Sequence, residues 1–181
     1  VFLKAVTTMN NQAPSASSSY YLFRLHSAKG NVDEAISYLQ KAIESDETDA
    51  EKDAEYTYEL ATFCYKCGRN SQAYELASSV AQTNQSLAGK AYFLIGNIWG
   101  GTRCGGDEIA TRAPMWGACD FMIKAKNADE TLTEEANRYI GQYSSYFPKT
   151  ADAFMYGIEN GQSYTVVCGG MRATTTVRTV N

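Results

Sequence analysis

The stretch "GNVDEAISYLQKAIESD", Gly30–Asp46, decides how the chain is read. Apolar residues recur at Val32, Ala35, Ile36, Leu39, Ala42 and Ile43, the three-and-four spacing that puts one stripe on one face of a helix. Gly30 and Asn31 precede it, and their left-handed and capping preferences end one helix and open the next. Upstream, "SSSYYLFRLHSAKG" carries Tyr21, Leu22 and Leu25 at similar spacing. The two segments make a helical hairpin. Its second helix keeps alanine at positions 35 and 42, where a core-facing helix would normally carry leucine. Small residues there let a neighbouring helix approach and interlock its ridges at short interaxial distance.

The pattern returns twice. In "YTYELATFCYKCGRNSQAYELASSVAQ", aligning Gly68 on Gly30 puts Ala73 on Ala35, 38 residues on. A third first helix is "AYFLIGNIWGG", and its partner is "MWGACDFMIKAKNADE", in which Ala118 and Ala125 are spaced like Ala35 and Ala42. Ala73 and Ala118 stand 45 residues apart, so the third unit carries an insertion.

These helices resemble those of a tetratricopeptide repeat (TPR), a helical hairpin of about 34 residues. Tyr92, Ile95-Gly96 and Trp99 match its first helix; Ala35, Leu39 and Ala42, and again Ala118, Met122 and Ala125, match its second. The spacings exceed the family's, Glu47 and Glu130 stand where proline is usual, and His26 and Cys64 replace the second aromatic. The resemblance implies an all-α, right-handed α-solenoid. The expected organisation is the end of an upstream repeat in 1–12, repeats in 13–49, 50–88 and 89–130, a capping helix in 131–148 and a tail in 149–181. "VFLKAV" resembles the tail of a second helix, with Ala5 where Ala42 and Ala125 fall. Further repeats are therefore expected upstream.

After the third hairpin, "TLTEEANRYIGQYSSYFPKT" runs apolar through Leu132, Ala136, Tyr139, Ile140 and Tyr143 until Pro148. A cap is expected at Thr131-x-x-Glu134 or Thr133-x-x-Ala136. In "SYTVVCGGMRATTTVRTV", Gly169-Gly170 separates two extended runs, a β-hairpin signal. An isolated hairpin is marginal, so this one is expected to lie on the end of the helical stack or to pair with something else. Degenerate repeats with such a tail resemble TPR proteins of Bacteroidetes, which points to a bacterial cell-envelope setting.

Composition narrows the function. A net charge of −4 with scattered Lys and Arg argues against nucleic acid, which needs a basic patch. No apolar run reaches the roughly 18–20 residues of a membrane span. The set of five cysteines is odd and too sparse for a disulfide scaffold. Cys64-Tyr-Lys-Cys67 is a CxxC, but it falls near the C-terminal end of a helix, where the dipole disfavours a thiolate. The packing reading outweighs a thiol oxidoreductase. A Cys104–Cys168 disulfide is one of several pairings that an oxidising compartment would allow. His26, the sole histidine, takes a core position. Asp107 is expected to cap a helix containing Pro114 in its early part. The run "ESDETDAEKDAE" reads as solvated charge. No nucleophile–base–orienter set emerges, and neither a cofactor nor a metal is expected.

In this family the first helices line a concave face along which ligands lie. Phe23, Ala61 and Gly96 occupy equivalent sites. Three residues before them stand Tyr20, Tyr58 and Phe93, and one after stand Arg24, Thr62 and Asn97. Tyr65, Lys66 and Lys90 are expected at the rim. The rings either anchor a ligand or cover gaps between poorly matched helices. The expectation is a non-catalytic scaffold for a protein or peptide partner, with self-association through the hairpin as the alternative.

Overall fold

The computed structural model describes residues 2–181; Val1, the first residue of the segment read as the end of an upstream repeat, lies outside them. Ten α-helices and one two-stranded sheet follow one another along these residues: α1 (Phe2–Gln12), α2 (Ala16–Lys29), α3 (Val32–Ile43), α4 (Ala50–Lys66), α5 (Asn70–Thr83), α6 (Gln85–Gly101), α7 (Glu108–Arg112), α8 (Pro114–Ala128), α9 (Thr133–Ser144), α10 (Thr150–Met155), β1 (Ser163–Cys168) and β2 (Met171–Thr176). The helices pack in sequential pairs, α2 on α3, α4 on α5 and α6 on α8, with α9 on α8. The chain is an α-solenoid closed by α9 and followed by a small β-hairpin.

The local chemistry explains the breaks. Gly30 and Gly68 adopt φ of 76° and 77°, left-handed values that cost a side chain energy and suit glycine. Ser15 and Ser18 form a capping box at α2, Asp49 accepts from the Lys52 amide at 2.8 Å, and Asn84 accepts from the Leu87 amide at 3.0 Å. Glu47, where the family usually has proline, accepts from the Ala16 amide at 2.7 Å and so satisfies the start of α2 from 31 residues away. The second helices place Ala35, Ala73 and Ala118 fully inside, each 0% exposed. Helices also approach closely at Gly89, where an added Cβ would fall 2.5 Å from the Asp129 Cβ. Around these contacts Leu22, Leu39, Leu60, Ile95, Trp99, Trp116 and Met122 fill the core.

Several local expectations are corrected. Asp107 does accept from the Ala110 amide at 2.8 Å, but α7 ends at Arg112 and Pro114 opens α8 at its first turn, where its missing N–H costs nothing. Neither threonine caps α9: Asp129 accepts from Thr131 at 3.0 Å over a short 3₁₀ turn, Glu130–Leu132, and α9 starts without a side-chain cap. Asn31 does not cap α3 either; its amide turns back to the His26 Nδ1 at 3.2 Å.

The tail corrects a larger expectation. β1 and β2 pair antiparallel from Ser163↔Thr176 to Cys168↔Met171, turning at Gly169-Gly170, whose φ values are 60° and 77°. The hairpin does not sit on the end of the stack. It folds back along the second helices: Tyr74 of α5 donates to the Arg172 carbonyl at 3.0 Å, and the Trp116 indole of α8 donates to the Arg178 carbonyl at 2.8 Å. Val166, Met171 and Val177 are buried there. Cys104 and Cys168 form a disulfide that ties the hairpin tip to the loop after α6.

Candidate functional site

The row of first helices builds the site. Along α2, Tyr20, Phe23, Arg24 and Ser27 share one face, because residues three and four apart are neighbours on a helix. Along α4 the facing stripe is Glu55, Tyr58, Glu59, Thr62 and Lys66. Tyr20 stacks on Tyr56 with ring centroids 4.9 Å apart, and Phe23 meets Phe63 edge-on at 5.4 Å. These contacts hold the two helices in register, and the Phe23–Phe63 pair forms the floor between them.

Above that floor lies a recess of about 620 Å³, lined by Phe23, Arg24 and Ser27 from α2 and by Glu55, Tyr58, Glu59, Thr62, Phe63 and Lys66 from α4. Four of the residues named from sequence, Arg24, Tyr58, Thr62 and Lys66, meet in it. Tyr20 stands at the rim. Its hydroxyl donates to Glu59 Oε1 at 3.2 Å, Arg24 donates to that hydroxyl at 3.4 Å, and Arg24 lies 4.0 Å from the same carboxylate. Burial pushes the Tyr58 phenol above its ordinary pKa, so at neutral pH it is an uncharged ring with a hydroxyl. The Thr62 hydroxyl donates to the Tyr58 carbonyl at 3.0 Å. Among the described residues Lys66 has no ion-pair partner and is exposed.

The other named residues are placed elsewhere, a correction to the idea of one open aromatic ladder. Phe93 is met edge-on by Tyr139 of α9 at 5.6 Å, and Asn97 Oδ1 accepts from the Tyr143 hydroxyl at 3.0 Å. The Tyr143 ring lies against Gly100, where an added Cβ would come 2.3 Å from it. Desolvation raises the Tyr143 pKa, with Tyr139 and Tyr65 adding to it. So α9 covers the third unit's face and takes up the side chains that the first two units leave available. Tyr65 is half-buried against the core. Lys90 belongs to the opposite end of α6, near Asp129.

Sequence reasoning missed Glu55, Glu59 and Phe63. Stepping by four and three from Glu55 along α4, through Glu59 and Thr62 to Lys66, would have found the acidic half of the stripe. Phe63 needed the structure, because its ring is placed by Phe23 of another repeat.

None of the candidate reactive groups lines this recess. Cys64 is fully buried in α4, and burial pushes its thiol up to about 11; Cys67 is the residue that ends that helix. His26 stacks on Tyr38 at 5.2 Å. Among the described residues no group of three or more His, Cys, Asp or Glu side chains is placed to hold a metal ion. No helix there is long and apolar enough to cross a membrane.

No family model matches the chain, and no curated protein shows a significant match. Solved structures do. Two crystal structures of MamA are similar to this chain at 16% identity and a TM-score of 0.51; one match covers 80% of this chain and 85% of that one, the other 86% and 85%. That likeness concerns the fold, and with the alanine-spaced helix pairs it identifies the architecture as a TPR-like helical solenoid.

Proposed function

We propose that the chain is a non-catalytic scaffold that holds an extended peptide, or an extended segment of a partner protein, in the α2–α4 groove. The observation that carries this reading is the convergence of Arg24, Tyr58, Thr62 and Lys66 on one recess floored by Phe23 and Phe63. Tyrosine and arginine are the usual anchors of protein contacts. Because the walls are helices already packed on their neighbours, the ordering cost of binding falls on the ligand.

Catalysis at the CxxC draws no support from a thiol raised to about 11 on a helix end of the wrong polarity. Assembly through the hairpin draws less support than the groove, because this chain's own α5 and α8 already cover the buried side of β1 and β2. The Cys104–Cys168 disulfide supports an oxidising compartment, in keeping with the cell-envelope setting and the Bacteroidetes kinship that belong to the same proposal.

Affinity capture from the native cell, with unaltered protein and with Tyr58→Ala combined with Arg24→Ala, tests the groove. The double variant keeps its helicity by circular dichroism and loses specific partners. An identical set of captured proteins would remove the assignment.

A further inference from the structure

The groove opens at the most acidic part of the molecule. Residues 44–59 hold eight carboxylates and one lysine, whereas the whole chain has a formal net charge of only −4, so the remainder is net positive. Glu55 and Glu59 line the groove itself. Glu55 also lines a second recess of about 430 Å³ with Glu47, Asp49 and Glu51. The two recesses therefore share Glu55 as a wall, one lying at the acidic α3–α4 connection and the other over the aromatic floor.

Structural duties account for part of this charge. Asp49 caps α4, Glu47 satisfies α2, and Glu51 accepts from Asn84 and Ser86 at 3.0 and 3.3 Å. They do not account for the carboxylates in the groove. The partner of Glu55 is Lys52 on its own helix, with both side chains about half exposed, a pair worth little in water. Glu59 is 4.0 Å from an Arg24 side chain that is 64% exposed, and it accepts one tyrosine hydroxyl. A carboxylate offers about four acceptor sites, so both keep acceptors free toward the recess.

We infer that the ligand of this groove is a basic segment. A lysine or arginine of the ligand lies on Glu55 and Glu59, and a neighbouring apolar side chain lies between Phe23, Tyr58 and Phe63. The inference rests on the groove reading above and adds the chemistry of the occupant. Lys66 sets the direction: it repels a second cation at the far end of α4, so the ligand's positive charge belongs at the Glu55 end. The surrounding acidic field adds steering, which speeds encounter and fades with salt.

Fluorescein-labelled peptides of about eight residues, alternating Lys and Leu, Ser and Leu, or Glu and Leu, test this by polarisation against the full chain at low salt and at about 0.5 M salt. The Lys–Leu peptide binds tightest, and salt weakens it. Replacing both Glu55→Gln and Glu59→Gln lowers its affinity about tenfold, the sum of two half-exposed charge pairs. Glu44→Gln with Asp46→Gln, which removes equal charge outside the recesses, changes it less than about twofold. Equal losses from the two pairs would show attraction to net charge alone and overturn the inference, as would tightest binding of the Glu–Leu peptide. If Lys–Leu and Ser–Leu bind alike and both weaken in Tyr58→Ala, the groove stands and its basic preference falls. If no peptide responds to Tyr58→Ala, the groove reading itself falls.

Discussion

Asp120 of α8 accepts from the Arg178 guanidinium at 2.6 Å, and the same guanidinium donates to the Trp116 carbonyl at 2.6 Å. Its face lies over Phe147, 5.5 Å from the ring centroid, while the second oxygen of Asp120 accepts from the Thr175 hydroxyl at 2.5 Å. One aspartate thus fastens both β2 and the residues that follow it to the second helix of the third repeat.

Removing that aspartate should loosen the tail first. The side chains are about 30% exposed, so Asp120→Ala should cost about 2 kcal/mol, below the figure for a fully buried pair broken on one side. Hydrogen exchange checks the location: protection should fall in β1 and β2 and persist in α2–α5. Uniform loss of protection along the chain would contradict this placement.

The disulfide makes a second prediction. Cys104 and Cys168 are 64 residues apart, and closing a loop of that length stabilises the fold by about 4 kcal/mol in the chain-entropy account. Cys104→Ser with Cys168→Ser should lower the denaturant midpoint by a corresponding amount, and reductant should then have no further effect. In denaturant without reductant, three thiols should titrate, those of Cys64, Cys67 and Cys119. A count of five would refute the pairing.

Alkaline pH tests the two buried thiols. Burial raises Cys64 and Cys119 from 9.0 to about 11. The unfolded chain therefore ionises first, and the stability these groups contribute is complete below pH 9 and is lost as pH rises toward 11. Buried tyrosines raised in the same direction steepen the fall. Urea midpoints measured at about pH 8, 9.5 and 10.5, from below the unfolded pKa into the interval beneath the folded one, should fall less steeply for Cys64→Ala with Cys119→Ala. Matching slopes would show that neither thiol titrates as described.

The repeat itself was readable because its signals are local. Alanine at 35, 73 and 118 and glycine at 30 and 68 act on the next turn of helix or the adjoining one, so spacing alone exposes them. The Gly169-Gly170 turn is local for the same reason. The first-helix face was readable only in part. Arg24, Tyr58, Thr62 and Lys66 follow from helical period, but Phe93 and Asn97 have the same period and a different fate.

That difference lies outside any single helix. Whether a face is open depends on what packs over it, and α9 reaches Phe93 and Asn97 from more than 40 residues away. The amino-acid order by itself determined the helix pairs, their alanine contacts and the existence of a hairpin, since each arises from residues within a few turns of one another. Only the tertiary structure decided that the hairpin lies along α5 and α8, that Cys168 meets Cys104, and that the open groove is the one between α2 and α4. Those outcomes depend on which surfaces bury each other after long loops close, and residue spacing carries no record of that competition.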